Sequence, residues 1–259
     1  MMPTIAKKKV GFIVVRVLLI TFVVGNAIAW LSGAKPIDFP KLPYAAADQA
    51  AVKQLESTPM GEMSSEHAQS LGMHYFLHNH LEEADQILQS ALNRDESNAS
   101  LQALKAANDV KRAGERLDLL FGQIKLYDLK QALHTLKSVS DALPEQLDIQ
   151  LLALWAFTSV PDINDSAQNA LVIAKRIEPI LNAEQSMPQA LSASSRLAMA
   201  RLYLHMAESA DGATPAATWQ LQARNAWQQY QALKNPPIWL ERESAVVAQG
   251  IAGLPDVKA

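Results

Sequence analysis

"SEHAQSLGMHYFLHNHLEEADQILQSAL", residues 65–92, decides the fold. Its large apolar residues recur at helical spacing on both sides of a break at His78-Asn79-His80, which reads as two helices joined by a short turn. Gly72 in the first segment and Ala84 in the second are small enough to let two antiparallel helices lie close together. Leu71, Tyr75, Leu81, Leu88 and Ala91 then fill the space around that contact. Composition extends the reading to the whole chain. Hydrophobic residues make up 49% and aromatics only 6%, while Ala and Leu dominate and Val and Ile are sparse after residue 30, a balance that favours helix over strand. The expected fold class is all-α.

A unit of about thirty-four residues beginning at Ser65 places Leu71-Gly72 and Tyr75 at the L-G-x-x-Y positions of a tetratricopeptide repeat. Leu81, Ala84, Leu88 and Ala91-Leu92 fall where the second helix of that repeat alternates large and small. The unit resembles the tetratricopeptide repeat (TPR) family, departing from it at Ala68 for the usual tryptophan and at Glu96 for the terminal proline. A second, degenerate copy starts near Ala113, with Leu119, Leu129, Ala132, Leu136, Val139 and Pro144 in matching places and Ala99–Arg112 as an extra helical stretch between the two. Two weaker hairpins follow, Leu147–Thr158 with Asp165–Ala183 and Ala190–Ser209 with Pro215–Leu233, and Ile238–Gly250 closes the stack. What the resemblance implies is a solenoid whose groove, lined by the first helix of each hairpin, holds a segment of another protein. The lining residues it implies are Gln69, Met73, Phe76 and Leu77 from the first unit, and Leu117, Phe121, Ile124 and Lys125 from the second. Those side chains suit an apolar helix or an extended apolar segment.

The N-terminus sets the compartment. Lys7, Lys8 and Lys9 precede an apolar run from Val10 to Trp30 broken by one charge, Arg16; at about 1.5 Å per residue such a run reaches across a hydrocarbon core of about 30 Å. A single transmembrane helix is expected, with Arg16 snorkelling and the N-terminus cytoplasmic by the positive-inside rule. The competing reading is a leader cleaved after Ala27-Ile28-Ala29. Either way the domain is exported to the periplasmic side of a bacterial inner membrane. The expected divisions are a basic tail at 1–9, a signal-anchor at 10–31, a Pro-rich linker at 32–62 with one short helix around 45–55, the repeat domain at 63–252 and a tail at 253–259.

Function classes narrow by exclusion. Four basic and no acidic residues precede Lys35, which leaves 19 of the 23 Lys and Arg against all 26 Asp and Glu; a domain this acidic is a poor partner for nucleic acid. Without cysteine there is no disulfide, thiolate metal site or cysteine nucleophile. No nucleophile elbow, phosphate loop or dinucleotide fingerprint is present, so an enzyme and a bound cofactor are not expected. His74, His78 and His80 are the candidate metal ligands, but the glutamate of H-E-x-x-H is missing and surface histidines are the plainer reading. The expected function is a membrane-anchored periplasmic scaffold or adaptor that binds a protein during assembly of an envelope complex. A permanent structural subunit of a larger membrane complex is the alternative.

Overall fold

The computed structural model describes residues 4–160, 163, 165–183, 187–209 and 215–255. Residues 1–3 of the expected tail and 256–259 of the expected C-terminal tail lie outside the described residues, as do the side chains of 4–14, whose backbone belongs to the first helix. Among the described residues every regular element is helical. The helices are α1 (Thr4–Ala29), which ends in a wider π turn at Trp30–Ala34, then α2 (Ala46–Glu56), α3 (Ser65–Leu77), α4 (Leu81–Leu92), α5 (Ala99–Glu115), α6 (Gln123–Ala142), α7 (Leu147–Ser159), α8 (Ser166–Ala183), α9 (Gln189–Glu208), α10 (Ala216–Gln231) and α11 (Glu241–Ala252).

Local chemistry starts the first two hairpins. The Ser64 hydroxyl accepts from the His67 backbone N–H at 3.1 Å, and the Asn98 side chain accepts from Leu101 N–H at 3.1 Å, each satisfying one of the donors a helix leaves open at its N-terminus. From α3 onward neighbours pair as α3/α4, α5/α6, α7/α8 and α9/α10, and each first helix also packs on the next, α3 on α5, α5 on α7, α7 on α9 and α9 on α11. The result is a one-directional stack of hairpins closed by α11.

The first hairpin packs as its sequence implies. Leu71, Ala84, Leu88 and Ala91 are fully buried. A Cβ added at Gly72 would stand 2.7 Å from Leu88 Cδ2 and 3.0 Å from its Cγ, so glycine there is a steric requirement. Tyr75 is half-buried and its hydroxyl donates to Glu56 on α2 at 2.7 Å, a bond that, with burial, raises its pKa. In the second hairpin Ala132 and Leu136 are buried while Pro144 sits exposed in the α6–α7 turn. Two buried amide side chains tie elements together: Asn108 donates to the Leu81 carbonyl at 2.9 Å, and Gln150 donates to Ser140 and Leu143 carbonyls at 2.7 and 3.0 Å.

The second hairpin lies elsewhere than the sequence suggested. Its first helix is α5, Ala99–Glu115, not a helix from Ala113; α3 and α5 begin thirty-four residues apart, at Ser65 and Ala99, and the stretch read as extra is the first helix of the second hairpin. The match to a second repeat copy from Ala113 places Leu117–Phe121 in a helix. That segment is a loop, since Phe121 and Gly122 take φ of 58° and 75°, a left-handed pair that no α-helix continues through.

In the described part of α1 the side chains of Val17, Leu18, Leu19 and Ile20 are exposed in succession, as are Val15, Val23, Val24 and Ile28. Among the described residues no helix is long and apolar enough to cross a membrane.

Gly72→Ala should cost about 1–3 kcal/mol by overpacking and Leu88→Ala about 2–5 kcal/mol. The double variant should cost less than their sum, because the truncated leucine makes room for the new methyl. Urea unfolding of the four proteins checks this, and strict additivity would show that the two residues do not touch.

Candidate partner groove

Because every first helix packs on the next, their inner faces line one side of the stack. They enclose an open cavity of about 1110 Å³. Met73, Phe76 and Leu77 come from α3, Val110 from α5, Leu151, Leu152 and Trp155 from α7, Leu191 from α9, and Val246 from α11. Trp155 is fixed in place by its indole N–H, which donates to Ser194 on α9 at 2.7 Å. The lining is overwhelmingly apolar. Its charged members, among them Asp148, Lys111 and the ion pair Arg201–Glu243, sit among those apolar faces.

Of the residues named from sequence, Met73, Phe76 and Leu77 line the cavity from α3, Phe121 from the α5–α6 loop and Lys125 from the first turn of α6. Gln69, Leu117 and Ile124 do not line it. Leu117 is 58% exposed in the loop, a consequence of the shifted second hairpin. What the sequence reading missed is the contribution of α7, α9 and α11; α7 in particular is apolar on nearly every face and gives no hint of which side meets the groove.

It also missed that the linker enters the site. Between α1 and α2 the chain is extended and lies along the C-terminal ends of α5 and α3. Ile37 N–H donates to the Gly114 carbonyl at 2.9 Å and Leu42 N–H to the His78 carbonyl at 2.9 Å, while Asn79 donates from its side chain to the Pro40 carbonyl at 3.0 Å. The first two bonds use carbonyls that a helix leaves open at its last turn, at Gly114 and His78. Phe39 lies over the small residue Gly114, where an added Cβ would be 3.3 Å from its ring, and Arg242 of α11 donates to the Asp38 carbonyl. Pro36, Pro40 and Pro43 hold this strap out of helix.

Two lysines complete the helix ends. Lys125 is buried, and its ammonium donates to Lys35 and Gly114 carbonyls, each at 2.9 Å. Lys111 donates to the Phe76 carbonyl at 3.0 Å and to the Asn79 side chain at 2.9 Å, with its charge 4.2 Å above the Phe76 ring. Burial pushes Lys111 down to about 8, against the opposing pull of Glu243 and Glu115. Burial likewise lowers Lys125.

The histidines are engaged in packing. The expectation that His78 stands in a solvated turn is corrected: it is 2% exposed, because Tyr44 of the strap covers its ring at 4.2 Å between centroids and its Nδ1 meets the His74 carbonyl at 3.0 Å. Burial lowers its pKa. His80 stacks on the same tyrosine at 5.4 Å. Among the described residues no group of three or more His, Cys, Asp or Glu is placed to hold a metal ion. Comparison with protein-family models, with curated proteins and with solved structures finds no match to this chain.

Since Lys111 titrates near 8 in the fold and about 10.4 in an unfolded chain, the unfolded state binds more protons between those values. Stability therefore rises with pH through that window. Lys111→Met should lose this gain: the increase in unfolding free energy from about pH 7.5 to about pH 9.5 should be larger in the wild type than in the variant. Equal increases in the two proteins would place the titration elsewhere.

Proposed function

We propose that this chain is a TPR-like scaffold or adaptor, anchored in a bacterial inner membrane through residues 10–31 with its N-terminus cytoplasmic and its helical domain periplasmic. Its groove takes an apolar helix or extended segment of another protein during assembly of an envelope complex. The observation that carries the reading is the apolar groove along the stacked first helices. At about 1110 Å³ it exceeds the roughly 300–1000 Å³ of ordinary small-molecule pockets, and it runs across α3, α5, α7, α9 and α11, which suits an elongated occupant. The strap supports the same mode, for it shows that extended backbone pairs well with the groove's rim. Support for the anchor comes from α1, whose consecutive exposed residues Val17–Ile20 make it apolar all round, the property of a helix surrounded by lipid or protein.

A photo-reactive amino acid in place of Trp155, in the full chain within its own cells, should crosslink to one membrane or periplasmic protein, and the same group in place of the outward Val172 should not. Indistinguishable products from the two positions would sink the groove reading. Purification in mild detergent then separates an adaptor from the alternative, a permanent subunit, by whether the crosslinked protein co-elutes at near-equal amounts without crosslinking. For the topology, an enzyme reporter active only outside the cytoplasm should be active when fused after Ala259. Activity of a cytosol-only reporter at that position would reverse the placement.

A further inference from the structure

We propose that the α5–α6 loop, Leu117–Gly122, is a lipid-facing foot of the domain, set into the membrane interface beside α1. The inference rests on the reading of α1 as a membrane anchor and concerns Leu117, Leu119 and Leu120, which do not line the groove that Phe121 borders. Three observations lead to it.

The loop is seated on α1 by specific contacts. Phe121 N–H donates to the Asn26 side chain at 3.1 Å, and its ring meets Phe22 edge-on at 6.1 Å. A Cβ added at Gly25 would stand 2.7 Å from Phe121 Cδ1, so the absence of a side chain there forms the seat. The loop is also built to hold one shape. Asp118 is 2% exposed and accepts from Leu120 N–H at 2.7 Å and Lys125 N–H at 2.9 Å, while Phe121 at φ 58° occupies a conformation rare for a bulky residue. With its one carboxylate turned inward, the segment then shows Leu117, Leu119 and Leu120 to the outside at 58%, 49% and 53% exposure. Three leucines held outward by a buried carboxylate form an apolar patch without an internal partner.

Depth selects lipid as the occupant. At about 1.5 Å per helical residue, Gly25 lies about 7 Å to the membrane side of Trp30, the interfacial aromatic of the expected span. A loop docked at Phe22–Asn26 is therefore carried about 7 Å into the boundary, within the roughly 5–10 Å reached by the apolar face of an interfacial element. Val23, Val24 and Ile28 of α1, on either side of the seat that Phe22, Gly25 and Asn26 make for Phe121, are exposed as well, so a bilayer that surrounds α1 there meets the loop seated on it.

Because the chain contains no cysteine, single labels are clean. Leu120→Cys, Val172→Cys and Leu18→Cys, all at exposed positions, would each carry an environment-sensitive fluorophore in the purified full-length chain. The probe is a vesicle of phosphatidylcholine and phosphatidylglycerol with nitroxide-labelled lipid, shallow or deep. The foot predicts that the label at 120 loses most of its emission to the shallow nitroxide and the label at 172 keeps it, while the label at 18 reports the anchor through the deep nitroxide. Quenching at 18 with the label at 120 behaving as that at 172 would overturn the foot and leave the anchor standing. Quenching at 120 without quenching at 18 would keep the foot and overturn the anchor. No quenching at either position would overturn both. A blue-shifted label at 120 that no nitroxide quenches would show that protein covers the loop, and would also overturn the foot.

Discussion

Small residues at the helix contacts are the constraint from which the rest follows. Gly72 against Leu88, with Ala84 and Ala91 fully buried beside them, lets α3 and α4 lie close enough for leucines to interlock. Ala103, Ala106 and Ala107 on α5 and Ala153 and Ala156 on α7 are likewise buried, small side chains on two first helices that pack on each other. Such packing is intolerant of added volume. It also fixes the architecture, because a first helix that touches both its own partner and the next first helix has one face left, and that face lines the groove.

The ends of those helices create a second demand. A helix leaves carbonyls open at its C-terminus, with a partial negative charge, and here the ends of α1, α3 and α5 meet near one another. Lys125 serves the carbonyls that follow α1 and close α5, Lys111 serves the end of α3, and the strap donates Ile37 and Leu42 N–H to the same two ends, Gly114 and His78. Burying two ammonium groups is costly, which is why both titrate below an ordinary lysine. The helix ends offset that cost with hydrogen bonds to positive donors. One polar junction thus joins the end of α1, the strap and the stacked hairpins, and ties the rim of the groove to α1.

Much of this was legible in the sequence where the signal was local. The all-α class, the first hairpin with Leu71, Gly72, Tyr75, Ala84 and Leu88, the short helix at 46–56, and the hairpins after residue 147 follow from periodicity, glycine and proline placement, and turn residues. The start of the second hairpin was not legible because the match of Leu119, Leu129, Ala132 and Leu136 to the repeat pattern set the register from Ala113; in the structure Asn98 caps the start of α5, and the left-handed Phe121 with the inward Asp118 makes 117–122 a loop. The groove was half legible. Residues of α3 could be assigned a side from the repeat pattern, but α7, apolar on almost every face, carries no such direction, since a helix buried all round has no amphipathic period to read.

The sequence by itself determined which segments become helices and which small residues let them pair, because helix formation and close approach depend on neighbours three and four positions apart. Tertiary structure alone decided that a proline-rich linker lies on the ends of α3 and α5, that His78 is covered by Tyr44, and that Phe121 rests on Gly25. Each of those contacts joins residues more than thirty positions apart in the chain. Nothing in local composition encodes such pairings, and only the assembled stack brings open carbonyls, buried ammonium groups and an extended strand to the same place.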